Sequence, residues 1–223
     1  MRQMESSFLQ NPHVSETVAI TTNYASDSRI CLTTHTSIPI DLARIIGTRI
    51  INPLRNIDPK MHYFTENTLH ITINNIRVIN DPPHFGPSEI AKVKELLTNL
   101  IPNFRPFQFV LHGLLRMPTS ISVIALITPE YNDFIKTLRQ QLIDIGVPDD
   151  KKYFSGDTVF ANSTICRFTH TPSVAFMNEV EKHLDESFGI MTSDELSLVS
   201  TNAGFFPEKT TVFGTYRFSQ NRG

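Results

Sequence analysis

Cysteine is scarce in this sequence, two in 223 residues, and neither Cys31 nor Cys166 belongs to a CxxC pair or has a histidine-rich neighbour. A disulfide framework and a zinc site are therefore set aside, and two reduced core thiols are expected. No run of 18 apolar residues exists to span a bilayer, which sets membrane insertion aside. An excess of basic charge is missing too. A net charge of -2 and a pI near 6.4 argue against a protein that coats long nucleic acid through its phosphates, while a small anionic ligand held by a few local cations fits. The first 28 residues lack the basic-then-apolar layout of a secretory signal, so a cytoplasmic protein is expected. No low-complexity linker divides the chain.

What is present fits a folded globule: 40% hydrophobic residues, 19% charged residues and a mean hydropathy of -0.13. The length suits one domain or two small lobes. Residues 1–28 read as a polar arm with one short strand over 16–22, and residues 29–218 as a single domain. β-branched alternation predicts a strand over 29–38, and Leu42, Ile45, Ile46, Ile50 and Leu54 at helical spacing predict a helix over 39–57. Strands are expected over 61–67 and 68–79, a helix over 86–101, and a hairpin of 107–117 with 120–128 around Pro118 and Thr119. A helix over 129–146, a strand cut off by Pro172, a helix over 173–188 and strands over 195–206 and 210–218 complete the chain. About four helices and eight or nine strands in mixed order indicate an α+β fold, with helices packed on antiparallel sheets.

One strand carries an unusual polar row. In "TLHITINNIRVI", Leu69, Ile71 and Ile73 suit a core, which turns His70, Thr72 and Asn74 to the opposite face. A second such strand lies in the other half of the chain, "TVFANSTICRFT". There Val159, Ala161, Ser163 and Ile165 form the less polar set and leave Phe160, Asn162, Thr164 and Cys166 opposite. "HITI" and "NSTI" share one pattern, a polar residue, any residue, Thr, Ile.

On these two motifs the chain resembles the 2H phosphoesterase superfamily, which includes 2'-5' RNA ligase-like proteins and cyclic nucleotide phosphodiesterases. Members carry two His-x-Thr/Ser-hydrophobic motifs facing each other across a cleft. The resemblance spans residues 29–218 and implies two lobes, with antiparallel sheets lining a central cleft and helices outside. It places His70, Thr72, Asn162 and Thr164 in the catalytic set and Arg167 as a phosphate ligand. Strict alternation would turn Arg167 away, so a bulge or the strand end has to re-aim it. In an alternative register "RFT" pairs with "HIT", and Arg167 and Thr169 enter the cleft. The sequence departs from the family pattern at Asn162, where the second histidine is expected, and at Asn75, where members often place an aromatic.

The chemistry explains the residue types. Opening a 2',3'-cyclic phosphate needs a base for the attacking water and an acid for the departing ribose oxygen. Imidazole serves both roles near neutral pH. Hydroxyls from Thr72 and Thr164 would hold phosphate oxygens, with no metal and no cofactor. Asn162 moves no protons in that range but can donate a hydrogen bond. Phe160 and Phe168 are candidates for stacking a base, although core packing competes for them. His84, His112 and His170 are expected to be solvated or structural. The implied activity is a phosphodiesterase acting on a nucleotide or RNA-end phosphodiester, a 2',3'-cyclic phosphate or a 2'-5' linkage. The alternative is an impaired relative that binds a nucleotide or short RNA end. No obligate protein partner is evident.

Overall fold

A computed structural model describes residues 18–151 and 159–220. The chain opens with β1 (Ile30–Ser37) and a helical rod made of α1 (Ile40–Ile46), a π turn (Gly47–Ile51) and α2 (Asn52–Ile57). The short β2 (His62–Tyr63), β3 (His70–Asn80) and α3 (Pro87–Leu100) follow. The hairpin of β4 (Phe107–Met117) and β5 (Ser120–Leu126) leads into α4 (Pro129–Asp144). After it come β6 (Ala161–Arg167), α5 (Val174–Lys182), β7 (Ser187–Ser193), β8 (Glu195–Thr201) and β9 (Thr211–Arg217).

Two antiparallel sheets result, one ordered β3-β1-β8-β9 and the other β2-β6-β5-β4-β7. Each sheet draws strands from both halves of the chain, so β3 and β6, the two motif strands, come to lie against each other at the lobe boundary. The helices cover the sheets from outside: α3 packs on α4 and β9, α1 on β7, and α2 on α5. Local sequence explains most of these elements. Pro87 begins α3, where the missing N–H costs nothing, and the Glu89 carboxylate accepts a hydrogen bond from the Gly86 N–H at 3.3 Å. Val93, Leu96, Leu97 and Leu100 then form its buried stripe. Ser173 caps α5 by accepting from the Phe176 N–H at 3.2 Å.

Two expectations change. Residues 18–22 hold no strand, and residues 16 and 17 lie outside the described residues. The expected arm is also packed in part: Tyr24 is buried, and its hydroxyl donates to the Phe168 carbonyl at 3.0 Å. The helix predicted over 173–188 stops at Lys182, and residues 187–193 form β7 at the edge of the second sheet. Gly189 opposes a helix there. With φ at +128° it lets the side chain of Leu42 come so close that a Cβ would sit 2.9 Å from it, while β4 supplies the ladder partners.

The β4–β5 register shifts between Leu111 and Leu114, and Gly113 sits in that bulge with φ at +77°. A Cβ at Gly113 would lie 2.6 Å from the Leu184 carbonyl oxygen, which is backbone and cannot move aside cheaply. Gly113→Ala is expected to lower unfolding stability by about 1–3 kcal/mol, from positive-φ strain and this contact. Urea denaturation checks it, with a lower midpoint at unchanged slope.

Candidate active site

A cavity of about 260 Å³ opens between the two sheets, and His70 and Thr72 of β3 and Thr164 and Arg167 of β6 all line it. His70 Nδ1 lies 2.7 Å from the Thr68 carbonyl oxygen, which can only accept, so Nδ1 carries the proton and Nε2 holds the lone pair. Burial first, and then the charge of Arg167, hold the His70 pKa well below the usual histidine range, at about 4. The ring is therefore a neutral base at pH 7.

Arg167 reaches the cavity because β6 is bulged. Ile121 pairs with Cys166 while its neighbour Ser122 pairs with Thr164, so one step of β5 spans two of β6. Ile165 and Cys166 are both buried behind this bulge, and Arg167 returns to the face of Thr164. Its Nε donates to the Ala203 carbonyl at 2.6 Å. The terminal guanidinium nitrogens make no hydrogen bond among the described residues, and burial pushes the Arg167 pKa down.

Asn162 shares the face of Thr164 but does not line the cavity. Its amide donates to Ser122 Oγ at 3.0 Å, and Ser122 Oγ donates to Thr164 Oγ1 at 3.4 Å. This relay occupies an acceptor site on Thr164 and leaves its O–H free to turn elsewhere. Phe168 is a correction. It is buried in the core against Phe176 and cannot stack on a bound base, because it lies just past the bulge that turns its predecessor Arg167 to the cavity. Phe160 is half-buried and does not line the cavity either. Thr169, the hydroxyl of the alternative register, is buried and donates to the Lys60 carbonyl at 3.0 Å. Asn75 lines the cavity, as does Cys31, whose thiol burial pushes up to about 11. Cys31 and Cys166 are both free.

Sequence patterns did not point to the cavity's other walls. Arg29 and Lys151 add cationic side chains, and no Asp or Glu lines the cavity among the described residues. Arg29 grips Asp27 through Nε at 2.9 Å and Nη2 at 2.8 Å. Phe64 and Phe205 supply aromatic surface, and Phe205 stacks on His70 with ring centroids 4.1 Å apart. His35 of β1 meets the His70 ring edge-on at 5.3 Å, and its buried Nδ1 has no hydrogen-bond partner among the described residues. The one available sequence signal was His35 itself, on the cleft-facing alternation of "LTTHT". Among the described residues, no cluster of three or more His, Cys, Asp or Glu could hold a metal ion, and no helix is long and apolar enough to cross a membrane.

Solved structures share this architecture. A crystal structure of a phosphoesterase matches with a TM-score of 0.60 at 11% identity, over 86% of this chain and 100% of that one. A Thermus thermophilus protein, TT0787, matches with a TM-score of 0.60 at 13% identity, over 86% and 100% of the two chains. E. coli LigT complexed with ATP matches with a TM-score of 0.57 at 11% identity, over 86% and 100%. The chain has the 2H phosphoesterase fold. No protein-family model and no curated protein matches it. In this LigT-like fold the two motif strands are the pair that meets at the lobe boundary, and both motif threonines line the cavity.

Burial of neutral imidazoles has a measurable consequence. His70 is held at about 4, and burial first and His70 second hold His35 at about 3, both below the unfolded value near 6.5. As pH falls below about 6.5 the unfolded chain binds protons that the folded chain refuses, so stability decreases toward pH 4. Each histidine contributes a slope of about 1.4 kcal/mol per pH unit in that window. His35→Phe is expected to flatten the loss of denaturant midpoint between pH 6.5 and 5. An unchanged slope would mean that His35 is not buried neutral.

Proposed function

We propose that this protein is a metal-independent phosphodiesterase acting on a nucleotide or RNA-end phosphodiester, a 2',3'-cyclic phosphate or a 2'-5' linkage. The observation that carries the reading is a cavity lined by Arg167, Arg29 and Lys151 with no carboxylate among its described walls, and with a neutral imidazole and two threonines beside those cations. That lining suits a phosphodiester. LigT, which shares the fold, has been crystallised with ATP, NADP+ and 3'-AMP, and its nucleotide ligands support a nucleotide substrate here.

In this mechanism the guanidinium of Arg167 holds the phosphate through its terminal nitrogens, a planar grip that an ammonium cannot copy. Thr72 and Thr164 donate to phosphate oxygens and stabilise the charge that gathers there. His70 Nε2 takes a proton from the attacking water: the O–H bond breaks, its electron pair forms the new P–O bond, and the P–O bond to the ribose oxygen breaks. The departing oxygen takes its proton from solvent, because Asn162 has none to give. The bound anion offsets Arg167 and raises the proton affinity of His70 toward a useful range. In this reading the enzyme works in the cytoplasm, a reducing compartment that suits the free thiols Cys31 and Cys166.

One observation favours a second reading, a module that binds a nucleotide or short RNA end without turnover. The amide of Asn162 is engaged by Ser122 outside the cavity, so the second motif offers no proton-transfer group. Incubation with 2',3'-cyclic nucleotides and 2'-5' oligonucleotides in EDTA separates the two. Slow turnover that vanishes in His70→Ala is expected, and Asn162→His should raise the rate by part of the roughly 10²–10⁴ factor that a positioned acid supplies. Ligand-induced melting shifts without turnover in either protein would leave the binding module. Arg167→Ala should weaken phosphate binding about 10- to 100-fold, with Arg167→Lys restoring only part, as expected for a lost charge-assisted pair. Equal affinity in a folded Arg167→Ala protein would remove Arg167 from the site.

A further inference from the structure

The segment after β8 is built around one buried amide. Asn202 donates from Nδ2 to the carbonyls of Tyr24 at 2.8 Å and Asp27 at 3.3 Å, and its Oδ1 accepts from the N–H groups of Gly204 at 3.2 Å and Phe206 at 3.4 Å. The same turn meets the site at two further points: the Ala203 carbonyl accepts from Arg167, and the Gly204 carbonyl lies 3.1 Å from His62 Nε2. Between them Phe205 adopts φ of +54°, the one positive φ of a non-glycine residue among the described residues. A bulky side chain in that region is strained and persists only where its surroundings over-determine it, a condition found most often at functional sites. Here the outcome of the strain is visible. It lays the Phe205 ring on the His70 imidazole at 4.1 Å with 27° between the planes, while His35 meets both rings edge-on, at 5.3 Å and 5.0 Å.

We propose that Phe205 is a positioning residue for His70: its ring fixes the imidazole plane, and its π face stabilises the imidazolium that forms when Nε2 takes a proton. This rests on the reading of His70 as the base. Apart from the Thr68 carbonyl, which accepts from Nδ1 and favours the protonated ring, the neighbouring groups oppose that protonation or give it no countercharge. Arg167 on β6 faces His70 as a cation, His35 on β1 is neutral and donates no countercharge, Lys151 lines the same cavity as a cation, Arg29 does so paired with Asp27, and Cys31 remains a neutral thiol. His62, beyond Phe64, is itself held low by burial. An aromatic face attracts a cation through its quadrupole, and it does so most strongly where water is excluded. Phe205 thus adds attraction for the imidazolium to that of the Thr68 carbonyl, on the side where the charged groups repel it.

The test keeps the shape and changes only the face. Site-specific replacement of Phe205 by phenylalanines carrying one, two and three ring fluorines drains the π face stepwise while preserving ring size. His70 is then titrated by NMR without substrate, read as the pH at which a tenth of the imidazole is protonated. That pH is expected to fall across the series by about one pH unit in total, tenfold in proton affinity. A constant value would overturn the proposal and reduce the stack to packing. Kinetics give the second arm: on a cyclic phosphate, Phe205→Leu should lower kcat about tenfold with KM kept, and Phe205→Tyr should recover most of it. Equal kcat in Phe205→Leu would overturn it also. Absence of turnover in the wild type would remove the phosphodiesterase reading and leave the substrate-free titration to decide the stack.

Discussion

The arrangement of the site turns on one half-buried charge, the guanidinium of Arg167. Moving a cation into a protein interior costs several kcal/mol unless something compensates it, and among the described residues the Ala203 carbonyl accepts from Nε while the Asp27 carboxylate attracts the charge without a hydrogen bond to it. Two neighbouring features follow from this. The positive field helps to keep His70 neutral, since a second cation beside the first is disfavoured. The turn that carries Ala203 has to be rigid, and the four hydrogen bonds of Asn202 make it so. In the proposed reading, an anion entering the cavity would relieve the burial of Arg167 and the suppression of His70 together.

Backbone irregularity decides which side chains share that field. A regular β6 would place Arg167 on the face opposite Thr164, and the bulge at Ile165 and Cys166 brings the two together. β3 and β1 show the same device, with register shifts between Thr34 and His35 and between Leu32 and Thr33. Asn75 and Thr33 are a pair across this irregular ladder, and both face the cavity together with His70 and Thr72. Bulges at a sheet boundary sharpen twist, which suits two sheets that must converge at one end on a shared ligand.

Legibility in the sequence tracks this distinction. Strong periodicity marked α3, α4 and the β4–β5 hairpin, because their apolar positions meet a single core face and no competing constraint intervenes. The same rule placed His70 and Thr72 together and Asn162 and Thr164 together, since both pairs lie on uninterrupted stretches of strand. It failed where geometry was set from elsewhere. β7 reads as a continuation of a helix because its pairing with β4 is non-local, and Phe168 reads as a cleft residue only if the bulge before it is ignored. Phe205, Asn202 and His35 were invisible as a group. They come from β1 and from a turn far along the chain, and nothing in their local spacing announces that the three converge on His70 and Arg167.

The two motifs end as unequal halves of one pattern, and the physical reason lies in what surrounds each leading residue. His70 is enclosed by aromatic rings, hydrogen-bonded at Nδ1 and free to act through Nε2. Asn162 occupies the corresponding place on β6, yet its amide is turned to Ser122, and through it to Thr164. A ring at Asn162 would meet Ser122 differently, since imidazole offers one donor where the amide offers two. The second motif thus orients the Thr164 hydroxyl through Ser122, while the first presents a ring lone pair. In the proposed reading a phosphodiester would meet a threonine from each sheet, and a proton would move on the His70 side only.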